Sequence, residues 1–533
     1  MKFIIGNPRN QAPLFPVSLD EQIGEHNEVR VIDLFVESLP LADYGFKIDQ
    51  GENGRPAYHP ADLLKLFLYG YLNRVRSSRH LEKECRRNLE VMWLLKELTP
   101  DHNTIAAFRK NNPKAIREVF RATVKAAQHF KLIGGKLLAV DSTKLRAQNS
   151  KKNNYNHKKI ERHLAYIDDK LQQYEQQLAK ADGDTDPDTI LEEAASLLNR
   201  RQMYEDLKEE LYDTDEAQIS VSDPDARQMI TRNNITEVAY NIQSTVDAKH
   251  CLPIDYSVTN QNDSKALGPA AQRACSELGH SRFTLLADKG YHTGSELRVT
   301  QEMGVETIVA IPDISSASMA PDPAYNVSEF RFSKRTHSYT CPAGQKLSTN
   351  GTWYRKERSS VNRRRGDAVM VQHFKTKACP TCPALALCTR NTTGRGRVIE
   401  RTEHQDYIDQ NRKNVQAKEL LYKRRQAIVE HPFGVMKRQW GFYFVLSRKG
   451  IDRASADVGL IFTAYNLRRI MSIMNPEVLK KYFQSLQKGI LGLFRRIWSW
   501  GSPNGMLESI QGFSHSWNLR WNFRLDLGVK RWF

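Results

Sequence analysis

The sequence contains no run of about 18 or more uncharged apolar residues, the minimum that a membrane-spanning helix needs. Residues 1–8 also lack the apolar core that begins a secretion signal. Cysteine is scarce, and seven thiols, an odd number, do not favour a disulfide framework. We therefore expect a protein with no membrane partner that stays in the cytoplasm.

Acidic residues are too few to balance the bases, and the formal net charge is +18. Residues 166–216 alone hold 16 acids against 5 bases, so the rest of the chain carries +29. Such a cationic body favours a polyanion partner such as DNA, because neutralised phosphates release their counterions. A soluble basic protein without such a partner is the alternative. A hydrophobic content of 40% over 533 residues predicts several packed domains.

The first 130 residues divide into an arm and a helical region. Residues 1–54 show no strong period, whereas residues 55–130 read as short helices with starts near Pro60, Ser77 and Asp101. Short helices that carry many arginines are typical of a helix-turn-helix DNA-binding domain. In this interpretation Arg109, in a recognition helix over residues 104–110, would read base edges. An ordinary helical bundle with a solvated basic face is the alternative.

A mixed sheet is predicted between residues 131 and 312. An apolar run over 136–140 predicts a strand that ends at Asp141, and a second over 283–287 ends at Asp288. The predicted elements in chain order are strand 136–140, strand 238–246, strand 252–258, helix 267–278, strand 283–287, helix 294–303 and strand 307–311. This order predicts a ribonuclease-H-like fold of the α/β class.

A helical hairpin interrupts that order. Leu164, Ile167, Leu171, Tyr174 and Leu178 follow heptad spacing, and a second apolar series runs to Leu211. The two series predict an antiparallel, acidic helical hairpin over residues 155–217. Its negative charge makes it a poor DNA contact, so we expect a subunit contact or a solvated spacer.

Asp141 and Asp288 are candidate metal ligands. Acids at the ends of neighbouring strands come close together, where two like charges need a cation, and Mg²⁺ prefers oxygen ligands. Such a site supports two-metal chemistry. Strand-end acids that only cap turns are the alternative.

A third acid lies in the helical region that begins near residue 417. Glu430 and Lys437 are seven residues apart and would share one face of an unbroken helix, although Pro432 argues against perfect regularity. One carboxylate for metal and one cation for a DNA phosphate fit a nuclease. A plain surface ion pair is the alternative.

These residues resemble the DDE transposases of bacterial insertion sequences, in the group with a Tyr-Arg-Glu-Lys motif. Asp141-Ser-Thr is similar to the first block and Asp288-Lys-Gly-Tyr to the second. The third block is represented by Tyr422, Arg425, Glu430 and Lys437. Four residues separate Arg425 from Glu430 where the motif commonly has three, so Arg424 and Gln426 compete for the arginine position. The N-terminal helical region is also similar to that group.

The resemblance implies a metal-dependent DNA transposase with Asp141, Asp288 and Glu430 as catalytic residues that bind Mg²⁺ or Mn²⁺, two ions in all. Lys437, Tyr422 and Arg425 would contact DNA. The expected partners are double-stranded element ends and target DNA, bound by a homodimer or higher oligomer at the nucleoid. A catalytically inactive DNA-binding regulator and a ribonuclease-H-like nuclease without strand transfer remain as alternatives.

The Cys-rich segment predicts a second metal site. Cys341, Cys379, Cys382 and Cys388 can bind Zn²⁺ tetrahedrally and stabilise a small segment with little core. A redox Cys-x-x-Cys pair and unligated thiols are the alternatives. Residues 355–401 carry a net charge of +9, and Arg363, Arg364 and Arg365 would bind DNA phosphates.

The predicted organisation is therefore a ribonuclease-H-like mixed-sheet catalytic domain with an N-terminal helical domain and two insertions. The expected segments are an arm at 1–54, a helical DNA-binding domain at 55–130, a catalytic domain at 131–154, 218–312 and 403–474, an acidic helical hairpin at 155–217, a basic zinc-ribbon-like insertion at 313–402 and a tail at 475–533.

Overall fold

A computed structural model describes most of the chain. The described residues are 17–48, 56–180, 187–214, 216–231, 235–313, 319–357, 368–391, 396–446 and 449–500. Among them, no helix is both long and apolar enough to cross a membrane.

Seven helices form an N-terminal helical layer. They are α1 (Leu19–Gln22), α2 (Glu28–Glu37), α3 (Pro60–Leu72), α4 (Ser78–Arg87), α5 (Leu89–Leu94), α6 (His102–Asn111) and α7 (Pro113–His129). Their starts follow ordinary capping chemistry: Pro60 occupies the first turn of α3, and the Asp101 side chain accepts from the N–H groups of Asn103 and Thr104.

The expectation of an arm without periodic structure over residues 1–54 is wrong for α2. Asn27 caps this helix by accepting from the Val29 N–H at 3.0 Å, and Val29, Val31, Ile32, Phe35 and Val36 are buried. These residues join the main hydrophobic core, in which the adjacent helix α3 is almost completely buried. The sequence signal was an asparagine cap before a short apolar series.

A six-stranded mixed sheet lies at the centre of the protein. Its strands are β1 (Leu137–Arg146), β4 (Arg227–Ile230), β5 (Thr236–Asp247), β6 (Leu252–Thr259), β7 (Thr284–Ala287) and β8 (Glu306–Val309), while the short strands β2 (Asn154–Tyr155) and β3 (Ile219–Ser220) pair with each other. The order is β4-β5-β1-β7-β8, with β6 also paired to β5. β1 runs antiparallel to β5 and parallel to β7, which is parallel to β8.

The prediction that the first strand ends at Asp141 is wrong. β1 continues to Arg146 because β5 pairs with it over that whole length, with Asp141 opposite Ser244 and Arg146 opposite Ala239. Only the first half of β1 is an apolar run, so the sequence pattern hid the polar second half. Asp141 therefore lies inside β1, and pairing with β5 fixes the backbone both before and after it.

Two long helices, α8 (His157–Lys180) and α9 (Pro187–Asp213), form the helical hairpin that the heptad pattern predicts. They have a small hydrophobic cluster of their own, which includes Ile160, Ile167, Leu197, Tyr204 and Leu211. The β2–β3 pair closes the base of the hairpin, with Asn154 opposite Ser220.

Two helices, α10 (Leu267–Leu278) and α11 (Gly294–Glu302), pack against each other, with α10 also on β5 and β6 and α11 on β8. Beyond β8 the chain forms two three-stranded sheets, β9 (Arg331–Ser333), β10 (Ser338–Thr340) and β11 (Lys346–Ser348), and then β12 (Trp353–Glu357), β13 (Ala368–Phe374) and β14 (Ile399–Thr402). A one-turn helix, α12 (Leu385–Cys388), lies between β13 and β14. A separate small core of Phe330, Tyr339, Leu347, Phe374 and Ile399 holds this insertion together.

The C-terminal part is helical: α13 (Gln405–Ala417), α14 (Glu419–Gly434), α15 (Ile451–Ile473) and α16 (Pro476–Trp500). A π-helical turn, Val435–Gln439, extends α14. Ile428 and Val429 of α14 pack on the sheet residues Ala139 and Leu286, and α15 packs against α7, α3 and β6. The third predicted motif block is thus held against the face of the central sheet.

Candidate active site

Asp141 and Asp288 lie on adjacent parallel strands. The register pairs Ala139 with Leu286, and two further residues along each strand bring Asp288 level with Asp141. Asp288 follows β7, and its Oδ1 accepts from the Gly290 N–H at 2.8 Å. The register and the effect of the Asp288 charge on Asp141 bring the first two predicted acids near each other.

The environment of Asp141 disfavours its negative charge. Burial raises the pKa of Asp141 above its ordinary value and the neighbouring Asp288 carboxylate adds to the rise, while Arg425 and the Ser142 N–H oppose it. A half-buried carboxylate beside a second acid is the setting in which a bound cation becomes favourable.

Arg425 contacts the first predicted acid. Its Nη1 donates to Asp141 Oδ2 at 2.9 Å, and its side chain is only 17% exposed. Arg424 is exposed, and Gln426 Nε2 instead donates to Glu430 Oε1 at 2.8 Å. The geometry thus favours Arg425 over both competitors, despite the extra residue before Glu430.

Glu430 and Lys437 face one cavity, although the helix between them is not regular. The α-helix continues through Pro432 to Gly434 and then widens into the π-helical turn, and both side chains line a cavity of about 490 Å³. The irregularity expected from Pro432 is present as a change of helix type just after it. Proline lacks the N–H of a regular turn, and a π-turn adjusts the local hydrogen bonding.

Lys437 joins the third block to β1. Its Nζ donates to Thr143 Oγ1 at 2.7 Å and to the Lys144 carbonyl oxygen at 2.9 Å. Tyr422 packs, partly buried, on the hydrophobic cluster beneath α14. α14 and its π-turn therefore lie along β1, with Arg425 at Asp141 and Lys437 two residues further on.

A polar group beneath the acids was missed by the sequence analysis. Asp263 Oδ1 accepts from Asn241 Nδ2 at 2.8 Å and from Gln243 Nε2 at 2.6 Å, and the buried Tyr291 hydroxyl donates to Gln243 Oε1. A Cβ atom at Gly290 would lie 3.0 Å from Asp288 Oδ1 and 3.5 Å from Asp263 Oδ2, so a side chain here would crowd the Asp288 carboxylate. The signal was the alternation of polar residues at 241 and 243 with the apolar Tyr240 and Ile242.

Metal-binding geometry is not preformed. Within the part of the chain that the structure describes, no group of three or more His, Cys, Asp or Glu side chains is arranged to hold a metal ion. The oxygen donors of Asp141 and Asp288 nevertheless fit a hard divalent cation in their chemistry. Glu430, exposed on α14, lies on the same helix as the arginine that contacts Asp141.

The four predicted zinc ligands are close in space. Cys341, Cys379, Cys382 and Cys388 line one cavity of about 20 Å³, together with Arg397. All four are free thiols. The structure thus brings the Cys-x-x-Cys pair to both of the more distant cysteines, although it does not set them in ligand geometry.

The structure corrects the prediction that Arg109 reads base edges. Arg109 is 7% exposed, and its Nη1 donates to the Tyr71 hydroxyl at 3.0 Å and lies 3.5 Å from Asp457 Oδ1. Helix α6 exists as predicted, but this guanidinium points into the protein. Arg363, Arg364 and Arg365 lie outside the described residues.

Two family models match separate parts of the chain. Residues 17–111 match the family model of a transposase domain, DUF772, and residues 340–471 match that of a transposase DDE domain. The second match contains Arg425, Glu430 and Lys437. A DDE domain is typical of enzymes that cleave DNA. The two matches together indicate a DNA transposase of the DDE type found in insertion sequences.

Other comparisons are distant. No curated protein sequence matches the chain. Among solved structures, the piggyBac transposase in a synaptic complex with hairpin DNA is similar over 90% of this chain and 83% of that one, with 11% identity and a TM-score of 0.27.

Proposed function

We propose that this transposase binds the ends of its own element, cleaves phosphodiester bonds there by two-metal hydrolysis and joins the released 3′-hydroxyl ends to target DNA. The observation that carries the proposal is the contact of the third block with β1. Arg425 bonds to Asp141 and Lys437 to Thr143, while Asp288 lies beside Asp141. Three distant parts of the chain thus meet at the interior strand β1.

The topology supports a ribonuclease-H-like assignment for this sheet. Three antiparallel strands, β1, β5 and β6, are followed by helix α10, strand β7, helix α11 and strand β8. Acids at the ends or centres of neighbouring strands in such a sheet supply oxygen ligands from a rigid base.

The divalent ions, Mg²⁺ or Mn²⁺, would be held by Asp141, Asp288 and Glu430. When bound, two such ions activate water for attack and stabilise the leaving oxygen. Arg425 orients the Asp141 carboxylate through its hydrogen bond, and Tyr422 packs beneath the same helix. Lys437 supplies a cation for a phosphate beside Glu430.

The test is cleavage of labelled element ends by the Asp141→Asn, Asp288→Asn and Glu430→Gln variants with Mg²⁺. The amides keep the shape of the side chain but lose its charge, so we expect cleavage to be abolished and DNA binding to stay within a few-fold. Asp168→Asn, a hairpin carboxylate paired with Arg201, is the matched control and keeps full cleavage. Mg²⁺-dependent nicking by any of the three site variants would remove that residue from the active site.

A strand-joining assay separates the proposal from its alternatives. Pre-cleaved ends are mixed with supercoiled target DNA, and the proposal expects joined products. Cleavage without joining would indicate a nuclease, and binding without either activity would indicate a regulator. The presence of all three acids favours an enzyme.

We also propose that the Cys-rich insertion binds one Zn²⁺ through Cys341, Cys379, Cys382 and Cys388. Their shared cavity supports this donor set, and thiolate sulfur is a preferred zinc ligand. Elemental analysis of untagged protein should give one zinc per chain, and Cys382→Ser should release it and loosen residues 340–391 in hydrogen exchange. Cys275→Ser, outside the insertion, is the control. Protein without zinc would exclude the site.

DNA contact outside the active site is assigned to the basic insertion. Replacing Arg363, Arg364 and Arg365 with alanine should weaken binding to all sequences alike and reduce the salt slope by up to about three. A change in sequence preference instead would contradict the phosphate assignment. Sedimentation of the complex with element ends tests the proposed dimer or higher oligomer on DNA.

A further inference from the structure

A groove leads away from Glu430 along the polar half of β1. The cavity of about 490 Å³ that contains Glu430 and Lys437 is also lined by Lys144, Arg146 and Tyr443. Its floor is rigid, because the Arg146 N–H donates to the Tyr443 carbonyl at 3.0 Å and the Val445 N–H donates to the Arg146 carbonyl at 2.9 Å. The segment around Tyr443 thus continues the sheet beside the end of β1.

A second cavity of about 650 Å³ extends this groove. It shares Arg146 and Glu237 with the first, and it is lined further on by Gln148, Asn149 and Lys151. The Oδ1 atom of Asn149 is buried and has no hydrogen-bond partner among the described residues. The groove therefore changes along its length from cationic and aromatic to amide-rich.

The chemistry of the groove fits an unpaired DNA strand. Lysine and arginine neutralise phosphates, an exposed aromatic ring stacks on a base, and amides bond to base edges. Tyr443 is 44% exposed and the Arg146 side chain is 52% exposed. Glu237, the acid shared by the two cavities, is paired with Arg146 at 3.4 Å. In a duplex, the base faces that a tyrosine needs are already stacked.

We propose that this groove, defined by Lys144, Arg146, Gln148, Asn149 and Tyr443, holds the single strand that continues past the scissile phosphate, with one base stacked on Tyr443. The inference rests on the proposed function, because Glu430 at the start of the groove fixes which strand enters it. It adds a strand-holding site outside the three acids and their helix.

The test uses full-length protein carrying Asp141→Asn, so that binding is measured without cleavage. The probe is an element end whose flanking strand is unpaired and carries a 2-aminopurine beyond the cleavage position. Wild-type residues in the groove should quench its fluorescence by stacking. Tyr443→Ala should abolish the quenching and weaken binding of this probe about 5- to 100-fold. Tyr443→Phe keeps the ring and should keep both signals.

Two controls make the result specific. Tyr212→Ala removes an aromatic side chain that is 57% exposed on the hairpin and should change neither signal. Arg146→Ala should lower the salt slope for the unpaired probe by about 0.7. Binding of a fully paired flank should depend less on Tyr443 than binding of the unpaired one.

Unchanged quenching and affinity in Tyr443→Ala would overturn the proposal that a single strand lies in this groove. Failure of the catalytic proposal gives a different pattern. In that case the Asp141→Asn, Asp288→Asn and Glu430→Gln variants retain cleavage, while the fluorescence experiment still reports whether a strand lies on Tyr443.

Discussion

Arginine has opposite roles in the helical layer and in the groove beside β1. In the helical layer, Arg76 and Arg109 are buried around Asp457, which is itself fully buried. Arg76 Nη2 lies 2.5 Å from Asp457 Oδ2 and donates to the Phe444 carbonyl at 2.8 Å, and the Tyr71 hydroxyl donates to the other carboxylate oxygen. In the groove, Arg146 is half exposed. Equal charge in the sequence thus serves packing in one region and leaves an exposed cation in the other.

The difference shows that arginines in a helical region do not by themselves indicate DNA reading, because they can be paired with a buried acid. Asp457 is almost 350 residues from Arg109 in sequence, so no local pattern revealed that the arginine is already paired. This buried ion cluster joins α3, the loop that follows it and α6 to α15 and to the chain that leads out of the π-turn. It holds the segment that also lines the groove.

The largest effect is expected from Asp457→Ala. It leaves two guanidinium groups buried without their carboxylate, which should lower the free energy of unfolding by about 3–5 kcal/mol. Urea unfolding monitored by tryptophan fluorescence measures the loss. A change below about 1 kcal/mol would show that the cluster is not a source of stability and would end the contrast between the two regions.

The same cluster predicts a pH dependence. Burial raises the pKa of Asp457, but Arg76, Arg109, the Tyr71 hydroxyl and the Leu446 N–H outweigh it, so the pKa lies below its ordinary value. A carboxyl with a lowered folded pKa contributes stability above the unfolded value of about 4 and loses it as pH falls through the folded pKa. Unfolding free energy measured from pH 6 to about 2 should therefore fall less steeply for Asp457→Asn than for the wild type.

A smaller effect is expected from Arg109→Ala, because Arg76 still faces Asp457. We expect a loss of about 1–3 kcal/mol of unfolding free energy, from a buried carboxylate with one partner fewer. At a temperature where the variant is folded, its preference for element ends over random DNA should equal that of the wild type. A selective loss of this preference in a competition assay would return Arg109 to the DNA-reading role.

The smallest effect on stability is expected from Arg146→Ala, the counterpart in the groove. Its side chain is half exposed and its ion pair with Glu237 is on the surface, so the unfolding free energy should change by less than about 1 kcal/mol. The main effect of Arg146→Ala should be a lower salt slope of DNA binding. Arg109→Ala should therefore lower the unfolding free energy without changing DNA preference. Arg146→Ala should lower the salt slope of DNA binding and leave the unfolding free energy nearly unchanged.

Much of the central sheet could be predicted because its signals are local. Helix α10 has the predicted bounds, and the strands that precede Asp288 and flank the 248–251 turn lie within a residue or two of their expected positions. The second half of β1 could not be predicted, since Asp141, Ser142 and Thr143 break the apolar run and only pairing with β5 keeps them extended.

The candidate site also has residues that local motifs predict and residues that only the folded sheet brings together. Asp141, Asp288 and Glu430 follow from motifs, whereas Asp263 and Gln243 come together only when the sheet forms. The choice of Arg425 over Arg424 and Gln426 also needed geometry, because it depends on which side of α14 meets β1.

The pairing of β2 with β3 makes the positions of the acids independent of the length of the hairpin. Asn154 and Ser220 bring the two ends of the insertion together, and its helices bury their apolar residues against each other. Whole heptads could therefore be added to or removed from α8 and α9 in concert without displacing β1. The hairpin is in this sense an adjustable arm, whose reach evolution or an engineer can alter independently of catalysis.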